Sequence, residues 1–168
     1  MNTQAAPRSA RIMAWAVVVL TGVLIVLGLA LYGFSAEVHQ RIWRDIAERP
    51  GGPMSFRFLL QPTMAFIAAL HDGIQDARVH RTPYLRALIR DPAERGDRLR
   101  EGLFATARLV LLGLGMDAIY QWRVLGTFYP GEALLITFLL AVVPYLVLRG
   151  PISLIARRFV HPPSGSTR

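Results

Sequence analysis

The stretch MSFRFLLQPTMAFIAALHDGIQDAR, residues 54–78, decides how this chain folds. Its uninterrupted apolar part, Phe58 to Leu70, has about 13 residues, whereas a membrane-crossing helix needs about 20. Two features favour a crossing. Arg57 stands near one end, where a long side chain can extend its charge towards the headgroups. Small residues recur at every fourth position, which lets a second helix approach closely; they are Ala65, Ala69, Gly73 and Ala77. We therefore predict a crossing over residues 54–74, kinked at Pro62.

Three other stretches are long and apolar enough to cross a bilayer. Residues 12–34 carry no charge and reach about 30 Å or more as a helix. Residues 103–122 end a helix of about 30 residues that we expect to begin at the N-cap Asp91, so its first turns stand outside the bilayer. Residues 132–148 form the last span, which Gly150-Pro151 is expected to end. The predicted fold is all-α, an integral membrane four-helix bundle with a long third helix extending into the cytoplasm.

Two shorter segments combine arginines with an apolar helical face, a pattern typical of amphipathic helices in the headgroup region. Residues 37–53 place Val38, Ile42 and Trp43 on one such face. Residues 152–159 form a second, more basic one. The predicted organisation is a cytoplasmic tail over residues 1–11, one membrane domain over residues 12–160, a cytoplasmic loop over residues 78–100 and a disordered tail over residues 161–168.

The composition agrees with a membrane protein. Of 168 residues, 53% are hydrophobic, and the net charge of +8 comes from arginine without any lysine. Such a charge attracts anionic lipids. No nucleic-acid-binding module is present, so we expect no nucleic acid partner. Because the chain has no cysteine, disulfides, thiolate metal sites and thiol catalysis are excluded.

The arginines also predict the direction in which the chain is threaded. With four spans, the N-terminal tail, the loop over residues 78–100 and the C-terminal segment share one side and carry 2, 7 and 4 arginines. The other side carries 3 in its first loop and 1 in its second. Since arginine accumulates on the cytoplasmic side of membrane proteins, both termini are predicted to be cytoplasmic. The expected location is the bacterial inner membrane.

Charged residues inside the spans should pair with one another. A charge in mid-membrane costs roughly 2.5–3.5 kcal/mol on insertion scales. By depth, we predict that Arg57 pairs with Asp117 in the outer half of the bilayer and Arg108 with Asp72 in the inner half. Such pairs either only orient the helices or line a pathway for ions or protons.

Three residues spaced four apart could converge on a metal ion at the cytoplasmic surface, namely Asp72, Asp76 and His80. The alternative is that they are solvated residues at a helix end. Asp72-Gly73 with Ala77-Arg78 is similar to the Asp-Gly-x-x-Ala-Arg signature of CDP-alcohol phosphatidyltransferases, membrane enzymes that use a divalent metal. This sequence departs from that signature, because Asp76 is an additional residue and the downstream Gly-x-x-x-Asp-x-x-x-Asp is missing.

Several short motifs between residues 56 and 151 resemble those of a group of small bacterial inner-membrane proteins without an assigned activity. They are Phe56-Arg57-Phe58-Leu59-Leu60-Gln61-Pro62, Asp72-Gly73 with Asp76-Ala77-Arg78, Pro83-Tyr84, Phe128-Tyr129-Pro130 with Glu132-Ala133-Leu134, and Pro144-Tyr145 with Arg149-Gly150-Pro151. The resemblance implies a location and gives no catalytic residue or cofactor.

Three functions are compatible with this pattern. The first is a structural or accessory membrane component, without a cofactor, whose arginine-rich cytoplasmic face contacts anionic lipid or a partner. The second is an ion or solute conduit formed by several copies and lined by intramembrane polar residues, Arg57, Gln61, Asp117 and Gln121. The third is a metal-dependent enzyme at the membrane interface. The partners expected are the lipid bilayer, anionic lipids, and another membrane protein or further copies of the chain.

Overall fold

A computed structural model describes residues 7–33 and 35–159, and every regular element in this part of the chain is a helix. The helices are α1 Arg8–Tyr32, α2 Ala36–Glu48, α3 Arg57–Arg78, α4 Tyr84–Arg90, α5 Pro92–Leu125 and α6 Pro130–Ala156. The predicted all-α class is confirmed for the described residues. Among their helices, α1, α5 and α6 are long and apolar enough to cross a membrane. Helix α3 is not one of these, because its polar residues lower its hydropathy, so its crossing stays a prediction.

Local chemistry explains where several helices begin and end. The side chain of Asp91 caps α5 as predicted, accepting hydrogen bonds from the amides of Ala93 at 3.1 Å and Glu94 at 3.4 Å. The Ser35 hydroxyl accepts one from the amide of Val38 at 3.3 Å and caps α2. Helix α5 ends in a π-helical turn followed by Gly126 at φ +65°, a conformation that suits glycine.

Three helix boundaries differ from the predictions. Helix α1 already begins at Arg8, because arginine and alanine continue a helix well beyond its apolar part. Helix α3 continues past residue 74 to Arg78. The loop over residues 78–100 contains the first turns of α5, as expected from a start at Asp91, and also the short helix α4. The tail predicted over residues 161–168 lies outside the described residues, as do residues 1–6.

The third difference concerns α6, which does not end at Gly150-Pro151. It runs through Pro151 to Ala156, so the predicted separate helix over residues 152–159 is mostly its last turns. A proline removes one backbone hydrogen bond, and side-chain contacts on both sides hold this helix together. Arg149 donates to Asp76 of α3 at 2.8 Å, and the Ser153 hydroxyl donates to the carbonyl of Gly150 at 2.7 Å.

The small-residue stripe of α3 is the surface that packs against α6. Ala65, Ala69 and Ala77 are fully buried. A Cβ atom added at Gly73 would lie 2.7 Å from Cγ2 of Ile152 and 3.0 Å from the carbonyl oxygen of Arg149. Helix α6 therefore approaches the backbone of α3 so closely that only glycine fits at position 73.

The long helices alternate in direction. At one end, Tyr32 at the close of α1 donates to the carbonyl of Phe128, next to the start of α6, at 2.8 Å. At the other end, Pro7 before α1, Asp76 near the end of α3 and Arg149 near the end of α6 line one pocket. We call the end at which α1 begins the N-terminal end and the end at which α1 stops the opposite end.

Candidate functional site

Two clusters of buried charged residues, one at each end of the molecule, are the candidate sites. The opposite-end cluster centres on Asp117 of α5, which is fully buried. Asp117 accepts hydrogen bonds from Arg49 and, at 2.6 Å, from Arg57 of α3. Arg49 also donates to Glu132 of α6 at 3.0 Å, and Arg41 of α2 lies 3.5 Å from Glu132. Three guanidinium groups thus share two carboxylates, and the cluster joins four parts of the chain.

Local structure brings the cluster's arginines inward. Arg49 follows the last residue of α2 and opens a short 3₁₀ turn, and its side chain is only 2% exposed. Its guanidinium lies 4.8 Å from the ring centroid of Tyr120, and that of Arg41 lies 3.8 Å from the ring centroid of Tyr129. Aromatic faces stabilise guanidinium groups away from water.

Other polar atoms lie beside this cluster. The amide nitrogen of Gln121 donates to Asp117 and to the carbonyl of Tyr129. Both amide atoms of Gln61, two guanidinium nitrogens of Arg57 and the Thr137 hydroxyl are buried without a hydrogen-bond partner among the described residues. Unsatisfied buried polar atoms are rare in proteins and mark places that a small polar molecule can occupy.

The N-terminal-end cluster centres on Asp76 of α3. Arg149 of α6 donates to both carboxylate oxygens, at 2.8 Å and 3.2 Å, and Arg98 of α5 donates to one of them at 3.1 Å. Glu101 completes the cluster, lying 3.2 Å from Arg149, 3.4 Å from Arg98 and 3.0 Å from Arg81. Arg98 and Arg149 are both buried, so the carboxylates of Asp76 and Glu101 are needed to compensate their charges.

Two tyrosines complete this cluster. The Tyr145 hydroxyl donates to Asp72 at 2.7 Å and accepts from Arg149 at 2.6 Å. The Tyr84 hydroxyl donates to the carbonyl of Arg98 at 2.7 Å, and the guanidinium of Arg149 lies 4.3 Å from the Tyr84 ring centroid. Burial raises the pKa of the Tyr84 phenol, although the neighbouring Arg149 acts in the opposite direction.

The two predicted ion pairs have different outcomes. Arg57 lies against Asp117, the partner that depth in the sequence indicated. Arg108 and Asp72 are not brought together. Arg108 is exposed and forms no ion pair within residues 7–33 and 35–159, because the face of α5 that packs inward carries Ala107, Leu109 and Val110 instead. The partners of Asp72 are Tyr145, Arg149 at 4.0 Å and His71.

The structure does not bring the three candidate metal ligands together. The carboxylate of Asp76 accepts hydrogen bonds from Arg98 and Arg149. His80 lies beyond the end of α3 at φ +51°, so the helical spacing of four residues does not place it on the same face as Asp72. No group of three histidine or carboxylate side chains in the described part of the chain is arranged to hold a metal ion.

Sequence reasoning missed most of the buried arginines. Arg49 belongs to the predicted amphipathic segment over residues 37–53, and Arg98 is one of the seven arginines of the predicted loop over residues 78–100. The signal for Arg98 was its spacing, since Glu94 and Glu101 stand four residues before and three residues after it on the same helix. For Arg49 the sequence holds no such signal, because its acidic partners are 68 and 83 residues away.

An apolar layer separates the two clusters. Ala65 and Ala69 of α3, Ala107 of α5 and Ala141 of α6 are fully buried at this level. Along α3, Gln61 and Asp72 are about 16 Å apart at the helical rise. Within the described residues, no ionisable side chain is buried in this layer. The clusters are therefore not connected by a line of charges through the molecule.

Comparison with protein-family models, with curated proteins and with solved structures gives no match. The two clusters and the surfaces around them therefore have to be interpreted from their own chemistry.

Proposed function

We propose that this chain is an integral membrane protein of the bacterial inner membrane in which α1, α3, α5 and α6 cross the bilayer as a four-helix bundle. In this proposal the N-terminal end, with the first turns of α5, lies in the cytoplasm and contacts anionic lipid, and the protein acts as a structural or accessory membrane component. The observation that carries the proposal is that α3 buries polar side chains and exposes apolar ones.

Helix α3 buries several strongly polar residues and exposes most of its large apolar ones. Arg57, Gln61 and Asp76 are at most 2% exposed, whereas Leu59 is 75% and Ile67 is 53% exposed. In water this arrangement would expose apolar surface and bury charge, and both are unfavourable. In lipid the same arrangement is favourable, because the exposed apolar side chains face hydrocarbon and the polar ones stay inside the protein. At 22 residues, α3 is about 33 Å long, sufficient for the hydrocarbon core.

The arginines without an ion pair are concentrated at the N-terminal end. Within the described residues, those at this end are Arg8, Arg11, Arg78, Arg86, Arg90, Arg95, Arg100, Arg157 and Arg158, those at the opposite end are Arg44 and Arg123, and Arg108 lies between the two ends. Unpaired arginine on one side supports a cytoplasmic N-terminal end. Each arginine near an anionic membrane surface contributes about 1 kcal/mol to lipid attraction.

The same contacts favour a structural role over a conduit. Every buried guanidinium in the described part of the chain has a carboxylate partner, and each cluster joins helices far apart in sequence. Within the described part of one chain, the apolar layer between the clusters holds no buried ionisable side chain. The unpartnered atoms of Gln61, Arg57 and Thr137 are the observation that keeps an oligomeric conduit as the second candidate.

Single-cysteine labelling tests the crossing of α3, and it is simple here because the chain has no cysteine of its own. Gln40→Cys in α2 and Arg90→Cys in α4 are both at exposed positions on either side of α3. In intact bacterial cells, a membrane-impermeant thiol reagent should label the first variant directly and the second only after permeabilisation. Labelling of both variants from the same side would show that α3 does not cross.

Two measurements on the purified protein test the functional assignments. The melting temperature in bilayers containing phosphatidylglycerol should exceed that in phosphatidylcholine alone, and equal values would contradict the lipid contact. In proton- and ion-flux assays on vesicles, wild type and Asp117→Asn should both give the background rate. A flux that Asp117→Asn abolishes would favour the conduit instead.

A further inference from the structure

A long apolar cleft lies between α1, α5 and α6. Its volume is about 580 Å³, and its walls include Val17, Thr21 and Ile25 of α1 and Leu103, Val110 and Leu114 of α5. Along α5 the lining extends from Leu99 to Leu114, which is about 22 Å at the helical rise. The cleft exists because α1 touches the other helices along a narrow line.

The buried residues of α1 show how narrow this line is. Among its 25 residues, only Ala14, Val17 and Leu24 are buried. No side chain of α1 in the described range forms an ion pair with another helix. Helix α1 therefore leaves the space between itself, α5 and α6 open.

A second cavity of about 650 Å³ adjoins the cleft near the N-terminal end. It lies between Arg11 and Trp15 of α1 and Arg100 of α5, and it shares Leu99 and Leu103 with the cleft. Neither Arg11 nor Arg100 has an acidic partner in the part of the chain that the structure describes. Trp15 is 70% exposed beside them. We call this cavity the arginine groove.

We infer that the arginine groove and the cleft together bind one anionic phospholipid. Its phosphate lies between the guanidinium groups of Arg11 and Arg100, and one acyl chain lies in the cleft. This inference rests on the proposed membrane crossing of α1 and α5, and it assigns the contact with anionic lipid to one site. Guanidinium groups bind phosphate oxygens through paired hydrogen bonds, and tryptophan is common at headgroup depth.

The lining of the cleft suits a hydrocarbon chain. The described residues that line it are apolar or have only a hydroxyl as their polar group, and none of them is charged. A lipid acyl chain suits such walls, and the two arginines of the adjoining arginine groove specify that this chain carries an anionic headgroup.

The experiment compares two double variants that remove the same charge. Arg11→Gln with Arg100→Gln removes the arginine groove's charges. Arg86→Gln with Arg90→Gln removes two exposed, unpaired arginines of α4 at the same end of the molecule. For each full-length protein in detergent, native mass spectrometry titrates phosphatidylglycerol and phosphatidylcholine with identical acyl chains and counts the molecules retained.

Wild type and the α4 variant should retain one phosphatidylglycerol in preference to phosphatidylcholine. The groove variant should bind phosphatidylglycerol about thirtyfold more weakly, as expected for two arginines near an anionic headgroup. Thr21→Phe, which places a ring inside the cleft, should weaken the binding of both lipids while leaving the charge unchanged. Unchanged circular dichroism would verify that each variant is folded.

The alternative outcomes separate this site from the broader proposal. If the two double variants lost affinity for phosphatidylglycerol equally, the proposed site would be refuted, and the lipid contact would instead be spread over the basic face. Equal retention of both lipids by wild type would contradict the site and the proposed anionic-lipid contact together. If Thr21→Phe left both lipids bound as in wild type, the cleft would not hold the acyl chain. Displacement of the lipid by a second copy of the chain would make the groove a protein interface.

Discussion

Asp117→Asn removes the only carboxylate that contacts Arg57 in the described part of the chain. Asp117 is fully buried and Arg57 is 1% exposed, so the guanidinium would be left as a buried charge without an acid. Arg49, the second partner of Asp117, keeps Glu132 at 3.0 Å. Breaking a buried ion pair from one side costs about 3–5 kcal/mol. Since only one of the two arginines loses its last acid, we expect about 3 kcal/mol.

The assay is unfolding in detergent micelles, followed by far-UV circular dichroism, for a double-mutant cycle of Asp117→Asn and Arg57→Gln. The double variant should be more stable than Asp117→Asn alone, because it no longer buries an unpaired charge. The coupling between the two positions should be about 1–3 kcal/mol. Asp97→Asn, at an exposed position of the same helix, is the control and should change stability by about 0.5 kcal/mol or less. Equal stability of Asp117→Asn and Asp97→Asn would refute the reasoning.

Two further predictions concern packing and pH. Gly73→Ala should destabilise the protein by about 1–3 kcal/mol in the same assay, because its methyl group would lie 2.7 Å from Ile152. Gly22→Ala should be neutral or stabilising, because its methyl group would meet no atom of the described chain within 4 Å beyond its own stretch of helix. Equal effects of the two substitutions would contradict the close contact at Gly73. Burial raises the pKa of the Tyr84 phenol above its ordinary 10.0 in the folded protein. The stability that the protein gains by keeping this phenol neutral is therefore complete below pH 10.0 and is lost as the pH rises through the folded-state pKa. The alkaline loss of stability should therefore be smaller in Tyr84→Phe than in wild type, and the same loss in both would remove Tyr84 as its cause.

The parts of the fold that the sequence predicted depend on nearby residues. Apolar runs and helical spacing indicated the helices, and the Asp91-Pro92 pair placed the start of α5 at its observed residue. The stripe on α3 predicted a close helix contact, although it did not identify α6 as the partner. Boundaries failed where distant contacts decide, as at Pro151, where Arg149 and Asp76 hold the helix across the expected break.

The candidate site was less predictable because its pairs join residues far apart in the chain. Predicted depth in the bilayer was sufficient to pair Arg57 with Asp117, because both residues lie on long helices. It failed for Arg108, because the face of α5 that packs inward depends on the other helices. Arg49 was out of reach, since its burial depends on how the turn after α2 folds back over α5 and α6.

The separation of the α3 charges from their partners has a consequence for synthesis. If α3 crosses the bilayer, Arg57 leaves the ribosome 60 residues before Asp117, and Asp76 leaves 73 residues before Arg149. At about 5–20 residues per second, the wait for Asp117 is about 3–12 seconds. During this interval the nascent helix carries unneutralised charges, so the insertion machinery has to shelter α3 until the C-terminal half of the protein has been translated.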